Sequence, residues 1–304
     1  MSAAPADRPP LSPRHWLSWL GIGALVLLAR LPSRVQRGLG ALLGAILFQV
    51  LRGRRRFAGR NLALCFPELD AAARDTLLRR NFRSLGRGTF EFMRAWWGPL
   101  GALERRSSIT GIEHLERANA EGRGALLLSG HFHSFELCGR LLTTQHAAGA
   151  MYRPHADKAF DWAVRRGRAR YAAALFERDE IRPAIRFLRR GGVLWYAPDQ
   201  DMRGRESVFV PFFGIAANTI TGTRDLARLG NAAVIPFKHR RKPDGTGYEI
   251  ELLPALEDFP SDDAVRDTAR INAVIEELVR FAPDEYLWIH RRFKRRPEGE
   301  PKVY

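Results

Sequence analysis

The feature that most constrains this 304-residue chain is a series of short, continuously apolar runs separated by stretches of helical periodicity. Gly124–Ser129 (GALLLS), Val193–Ala197 (VLWYA), Ala232–Phe237 (AAVIPF), Tyr248–Leu253 (YEIELL) and Tyr286–His290 (YLWIH) read as strands. Between and around them lie helical stretches. The longest, Asp70–Trp97, repeats Leu77, Leu78, Phe82, Leu85, Phe90 and Met93 near helical spacing and is ended by Gly98-Pro99. Phe135–Thr143, Ala184–Arg190 (stopped by Gly191-Gly192), Thr223–Leu229 and Ser261–Phe281 (opened by Ser-Asp-Asp) follow the same logic. This alternation predicts an α/β fold, a mixed β-sheet flanked by helices. A chain of this length, 45% hydrophobic, can bury such a core.

The N-terminus departs from that pattern. Trp16–Ala29 (WLSWLGIGALVLLA) is an apolar run between Arg14 and Arg30, and Gly38–Leu51 (GLGALLGAILFQVL) is a second one that ends in Arg52, Arg54, Arg55 and Arg56. Each is shorter than the roughly 20 residues that span a bilayer. Leu31-Pro32-Ser33-Arg34 makes a poor signal-peptide cleavage site. Two readings stand: a pair of buried core helices, or one membrane anchor followed by a helix lying partly in the interface. The second is preferred, because Trp16 and Trp19 suit the headgroup level and the arginines mark the cytoplasmic side. The expected division is a tail over 1–15, an anchor and interfacial helix over 16–56, and a catalytic domain over 57–304 on the cytoplasmic face.

Forty-nine Lys+Arg against 33 Asp+Glu give a net charge of +16, which calls for anionic partners without choosing among nucleic acid, acidic lipid and acidic protein. No aromatic-basic recognition motif supports nucleic acid. The two cysteines, Cys65 and Cys138, form no disulfide framework and have no metal spacing. Reduced thiols are the plain reading, with an acyl-carrying role for Cys138 the alternative.

His131 directly follows the run Gly124–Ser129, and Glu136 stands five residues later in Gly-His-Phe-His-Ser-Phe-Glu. On one continuous helix five residues amount to about 140° of rotation, so the two would not share a face. They can meet if His131 lies in a strand-to-helix loop and Glu136 in the first helical turn. The carboxylate could then accept from one ring nitrogen and leave the other free as a general base. His133 is a competing base or a packing neighbour. The bare spacing is unspecific: with eight histidines about one such match arises by chance, and a second, His239 to Asp244, falls on a Pro-Asp-Gly hairpin turn.

Ordered segments around that pair are far more specific. Arg60–Glu68 (RNLALCFPE), Tyr152-Arg153-Pro154, Trp195–Asp201 (WYAPDQD), Ser207–Phe213 (SVFVPFF), Arg241–Gly245 (RKPDG) and Leu287–Lys294 (LWIHRRFK) occur in sequence over nearly the whole chain. Together with the His131–Glu136 block they resemble the late acyltransferases of lipid A biosynthesis, and among those the lauroyl-transferring members most. Gln200 departs from the pattern, standing where a histidine is expected between Asp199 and Asp201.

The resemblance implies a glycerolipid-acyltransferase-like fold and transfer of a fatty acyl chain, lauroyl by preference. The donor would be acyl carrier protein, and the acceptor a 3-hydroxyacyl hydroxyl of the Kdo-bearing precursor Kdo2-lipid IVA, at the bacterial inner membrane. His131 would be the base and Glu136 its orienting partner, with no metal, cofactor or covalent intermediate. Arg168 would stabilise the oxyanion or hold an acceptor phosphate, or else be a solvated arginine on a basic helix. Asp199 and Asp201 would shape the site or cap a turn, and Arg153 would join the same cleft. Lys238–Lys242 and Arg291–Arg296 would meet acceptor phosphates and Kdo carboxylates or the acidic carrier, while Arg295–Tyr304 could equally be a solvated tail. Two rivals remain, a glycerophosphate acyltransferase, against which Glu136 argues because that pattern carries aspartate there, and a non-enzymatic basic membrane-surface protein.

Overall fold

Leu126, Leu127 and Leu128 are buried to 1% exposure or less, because their strand lies in the middle of a sheet covered on both faces. The computed structural model describes residues 8–202 and 206–304. The chain opens with α1 (Trp16–Leu28), α2 (Ser33–Val50), α3 (Arg52–Cys65), α4 (Ala71–Trp97) and α5 (Ala102–Arg106). Next come β1 (Ser108–Thr110), α6 (Ile112–Ala120), β2 (Gly124–Leu128), α7 (Phe135–Leu142), β3 (Gly149–Tyr152), α8 (Lys158–Arg168), β4 (Leu175–Glu177), α9 (Ile181–Arg189) and β5 (Val193–Tyr196). It closes with β6 (Ser207–Phe212), β7 (Ile215–Ile220), α10 (Gly222–Gly230), β8 (Ala232–Arg241), β9 (Tyr248–Leu252) and α11 (Ala264–Phe281).

Seven strands pair in the order β1-β9-β8-β2-β5-β3-β4, with β8 and β9 antiparallel and the other neighbours parallel, while β6 and β7 form a separate hairpin. The fold is therefore α/β, a mixed sheet flanked by helices. Local chemistry sets the helix starts: the Asp70 carboxylate accepts from the Ala73 N–H at 2.7 Å to open α4, and Asp263 caps α11 in the same way.

One expected strand is absent. Tyr286–His290 contributes a single bridge, Tyr286 to Phe132, and then turns, with the Leu287 N–H donating to the His131 carbonyl and the Trp288 N–H to that of Tyr286. Its alternating aromatics pack beneath the site rather than extend the sheet. Of the two readings of the C-terminal stretch, a fully solvated tail does not hold: residues 298–302 are exposed, but the Tyr304 ring is docked edge-on to Phe57 at 5.5 Å.

The N-terminal helices are not a buried pair. Among the described residues no helix is long and apolar enough to cross a membrane. At 13 residues α1 is about 20 Å long, against a hydrocarbon core of about 30 Å. Its Ile22 packs on Ala159 and Ala163 of α8. Helix α2 crosses α4 backbone to backbone: a Cβ on Gly86 would stand 2.1 Å from the Gly40 carbonyl oxygen, so only glycine permits the approach. The opposite side of α2 exposes Leu39, Leu42, Ile46 and Val50, and α1 exposes Leu17, Leu20 and Leu27. Residues 1–7 of the expected tail lie outside the described residues.

Candidate active site

Parallel strands β2 and β5 pair in register, Leu128 opposite Tyr196. His131 and Asp199 each follow three residues beyond those partners, so both emerge at the carboxyl edge of the sheet, where open α/β folds gather their chemistry. The Asp199 carboxylate meets His131 twice, accepting from its backbone N–H at 2.9 Å and bonding Nδ1 at 2.5 Å. A carboxylate only accepts, so Nδ1 carries the proton and Nε2 the lone pair. The Tyr286 hydroxyl faces the same carboxylate and favours its ionised form. Burial alone would raise the Asp199 pKa, but His131 and these hydrogen bonds hold it well below the usual carboxylate range. Burial pulls His131 down, and the Asp199 charge and hydrogen bond more than offset it, leaving the imidazole above its ordinary value.

Glu136 does lie in the first turn of α7 and His131 in the loop before it, as the spacing requires. The expected contact between them is corrected by the structure: Glu136 points the other way, between α4 and α8. Its Oε1 accepts from Trp96 Nε1, Arg168 Nε and the Tyr171 hydroxyl, each at 2.7 Å, and Oε2 accepts from Arg168 Nη2 at 2.6 Å. Burial would raise its pKa, but the Arg168 charge and these donors lower it. Arg168 is accordingly no solvated arginine, being 15% exposed and held by a two-point ion pair.

That pairing yields a stability prediction. Glu136→Gln leaves the Arg168 guanidinium buried without its counter-charge, at a cost of about 3–5 kcal/mol. Because the folded-state pKa of Glu136 is depressed, its contribution is present above the ordinary carboxylate pKa of about 4.3 and fades as pH falls below it. Denaturant titrations should therefore show a large gap between wild type and variant at neutral pH that narrows in acid. Equal midpoints at neutral pH would contradict the pairing.

Two cavities meet at His131. One, about 290 Å³, runs between α4, α7 and α8 over a mainly apolar lining that includes Phe92, Leu142, Val164 and Phe237, with Glu136 and Arg168 in its wall. The other, about 680 Å³, is more polar and is bordered by Arg153, Gln200, Asp201 and His290. Arg153, exposed after β3, lines both. Asp201 also ties down the C-terminal segment, accepting from the Arg295 N–H at 2.9 Å and its Nε at 2.5 Å. His290, not singled out by spacing, accepts from the Asp201 N–H at 3.2 Å, and burial above all brings its pKa down to about 4.

The competing residues fall outside this junction. His133 is buried, its Nδ1 on the Ser84 hydroxyl at 2.9 Å, and burial followed by the Arg241 charge holds it well below the usual imidazole range. It lines neither cavity at His131, which removes it as base or substrate contact there. His239 bonds the Ser134 hydroxyl at 3.2 Å, while Asp244 accepts from the Thr246 N–H at 2.8 Å in the turn between β8 and β9. That pair is coincidental. Cys138 is fully buried in α7 and burial raises its thiol pKa, which keeps it from acting as an acyl-carrying nucleophile.

Known proteins are similar to this chain over nearly its whole length. The family model of the bacterial lipid A biosynthesis acyltransferases matches residues 5–295. The lipid A biosynthesis lauroyltransferase of Escherichia coli (strain K12) is 42% identical over 295 residues, covering 97% of this chain and 96% of its own. The palmitoleoyltransferase of that organism is 39% identical with the same coverage, and its myristoyltransferase is 28% identical over 96% of this chain and 91% of its own. A paired histidine opening onto an apolar cavity suits acyl transfer to a hydroxyl, and the chain belongs to the bacterial lipid A biosynthesis acyltransferases, a family of O-acyltransferases.

Proposed function

We propose that the protein moves a fatty acyl chain, lauroyl by preference, from acyl carrier protein to a 3-hydroxyacyl hydroxyl of Kdo2-lipid IVA at the cytoplasmic face of the bacterial inner membrane. The observation that carries this reading is the lone pair of His131 Nε2 at the junction of an apolar cavity and a wider polar one. The acyl chain lies in the first, and the acceptor reaches His131 through the second. Nε2 takes the hydroxyl proton as the oxygen attacks the thioester carbonyl. The tetrahedral intermediate then collapses to the ester, and the departing carrier thiolate takes the proton from the imidazolium. Asp199 is the positioning residue, fixing the tautomer and steadying the imidazolium. Glu136 and Arg168 act one step removed, by fastening α7 to α4 and α8 around the acyl cavity. The reaction so written needs neither metal nor covalent intermediate.

The exposed apolar sides of α1 and α2 support docking of the N-terminus in the membrane interface, with the basic stretch after α2 against acidic headgroups. A competition assay offering Kdo2-lipid IVA and glycerol phosphate together tests the acceptor by mass spectrometry. Acylation of the lipid A precursor is expected; acylation of glycerol phosphate alone would sink the reading.

Chain length has a residue-level test. Gly139 lines the acyl cavity three residues, or nearly one helical turn, beyond Glu136, and a Cβ built there meets nothing within 4 Å. Gly139→Leu puts a side chain across the cavity. Since Gly139 and Thr143, also in its wall, lie about one turn or 5.4 Å apart, the preferred chain should shorten by roughly four carbons. An unchanged preference across a series of acyl carrier thioesters would place the chain elsewhere.

A further inference from the structure

Away from His131, a cavity of about 470 Å³ opens between α4, the end of β8 and residues 281–285. Six cations line it: Arg80, Arg83, Arg87, Arg240, Arg241 and Lys242. Three have counter-charges. Arg240 pairs with Glu249 at 2.6 Å, Arg241 with Glu91 at 2.6 Å and Glu285 at 3.3 Å, and Arg80 reaches Asp284 at 3.6 Å. Among the described residues no carboxylate lies within ion-pair distance of Arg83, Arg87 or Lys242. The Arg87 Nε is buried and has no hydrogen-bond partner. Burial and then the Arg241 charge lower the Arg87 pKa, with the Glu91 charge opposing them.

The surroundings say which anion fits. Arg80, Arg83 and Arg87 recur on one face of α4, and Arg241 is fixed behind them by the Ser84 hydroxyl at 2.6 Å. A phosphate monoester carries a charge of about −1.5 to −2 and accepts arginine forks at two points. Three cations without a carboxylate at ion-pair distance, though Glu91 acts on Arg87 and Asp244 on Lys242 from further off, suit it better than a diester or a carboxylate. The glycine crossing of α2 and α4 falls on the same stretch, Gly40 against Arg87 and Gly44 against Arg83, so α2 runs beside the arginines that line the cavity, with its apolar side turned outward.

We propose that this cavity is a phosphate site that takes the phosphomonoester headgroup of a membrane lipid, while α2 lies in the lipid layer beside it. The site rests on the docking of α2 proposed above and is independent of which hydroxyl receives the acyl chain.

Co-sedimentation of the full chain with phosphatidylcholine vesicles tests it, using vesicles that carry phosphatidic acid or phosphatidylglycerol at matched surface charge. Wild type is expected to prefer phosphatidic acid. Arg83→Gln/Arg87→Gln should lose roughly 25-fold in affinity for those vesicles, about fivefold per charge, and the preference with it. Arg83→Gln/Lys242→Gln, which spares the half-buried Arg87, should lose a similar amount. Arg52→Gln/Arg56→Gln, exposed on α3, removes equal charge and should weaken both vesicle types alike. Equal binding of the two vesicles by wild type, or a phosphatidic acid preference that survives in the α4 variants, would overturn the site and leave α2 docking intact. No sedimentation with any vesicle would overturn both. Inorganic phosphate displacing the protein from phosphatidic acid vesicles at the lipid's own half-saturating concentration would assign the site to soluble phosphate and overturn the lipid.

Discussion

His131→Ala is expected to lower acyl transfer roughly 10²- to 10⁴-fold, the usual contribution of a positioned general base, with membrane association unchanged. The side chain is 29% exposed and its ring bonds Asp199, so its removal opens no large void in the core. What goes is the acceptor for the hydroxyl proton. Steady-state transfer from acyl carrier thioester to the lipid A precursor measures the loss, and vesicle sedimentation provides the control. Retained transfer would remove His131 from the mechanism. A parallel loss of sedimentation would mean that the variant had damaged the fold.

Asp199→Asn is expected to approach the same loss by a different route. The aspartate oxygen accepts from Nδ1–H, whereas an amide can also donate to Nδ1 and so drive the proton onto Nε2. That is the tautomer that cannot accept from a hydroxyl, and a wrongly oriented histidine is catalytically nearly as poor as a missing one. The pH dependence separates the two variants. The active imidazole is the neutral one, so rate rises with pH through the His131 pKa. In the wild type Asp199 holds that pKa above the ordinary value of 6.5, against the effect of burial. In the asparagine variant burial alone remains, so the acid limb moves to lower pH while the plateau falls.

The central strands were legible because each is a short apolar run bounded by turn residues, and burial on both faces is what such a run demands. Helix α4 was legible to within a residue, through its periodicity, Asp70 and Gly98-Pro99. Strands β1, β3 and β4, three or four residues each, fall below the length at which a pattern can be read. Tyr286–His290 misled because aromatic alternation serves equally for packing under a site.

The partner of His131 was hidden for a topological reason. Asp199 lies 68 residues away, and nothing in an alternating pattern states that β5 pairs beside β2. Once that neighbour relation is known, the equal offsets from Leu128 and Tyr196 make the pair apparent. The nearby Glu136 misleads because it is local. Its actual donors come from α4, α8 and the turn after α8, at separations of 32 to 40 residues. The apolar N-terminal runs are readable as lipid-facing, but the close crossing of α2 over α4 depends on glycine contacts that hydropathy does not report.

The central claim is that Asp199, rather than Glu136, sets the proton affinity of a catalytic His131. The most direct test is the pH dependence of kcat/KM for acyl transfer in wild type, Asp199→Asn and Glu136→Gln, each checked for folding. The acid limb should shift to lower pH in Asp199→Asn and stay at the wild-type position in Glu136→Gln. A limb that moves in Glu136→Gln and holds still in Asp199→Asn would contradict the account.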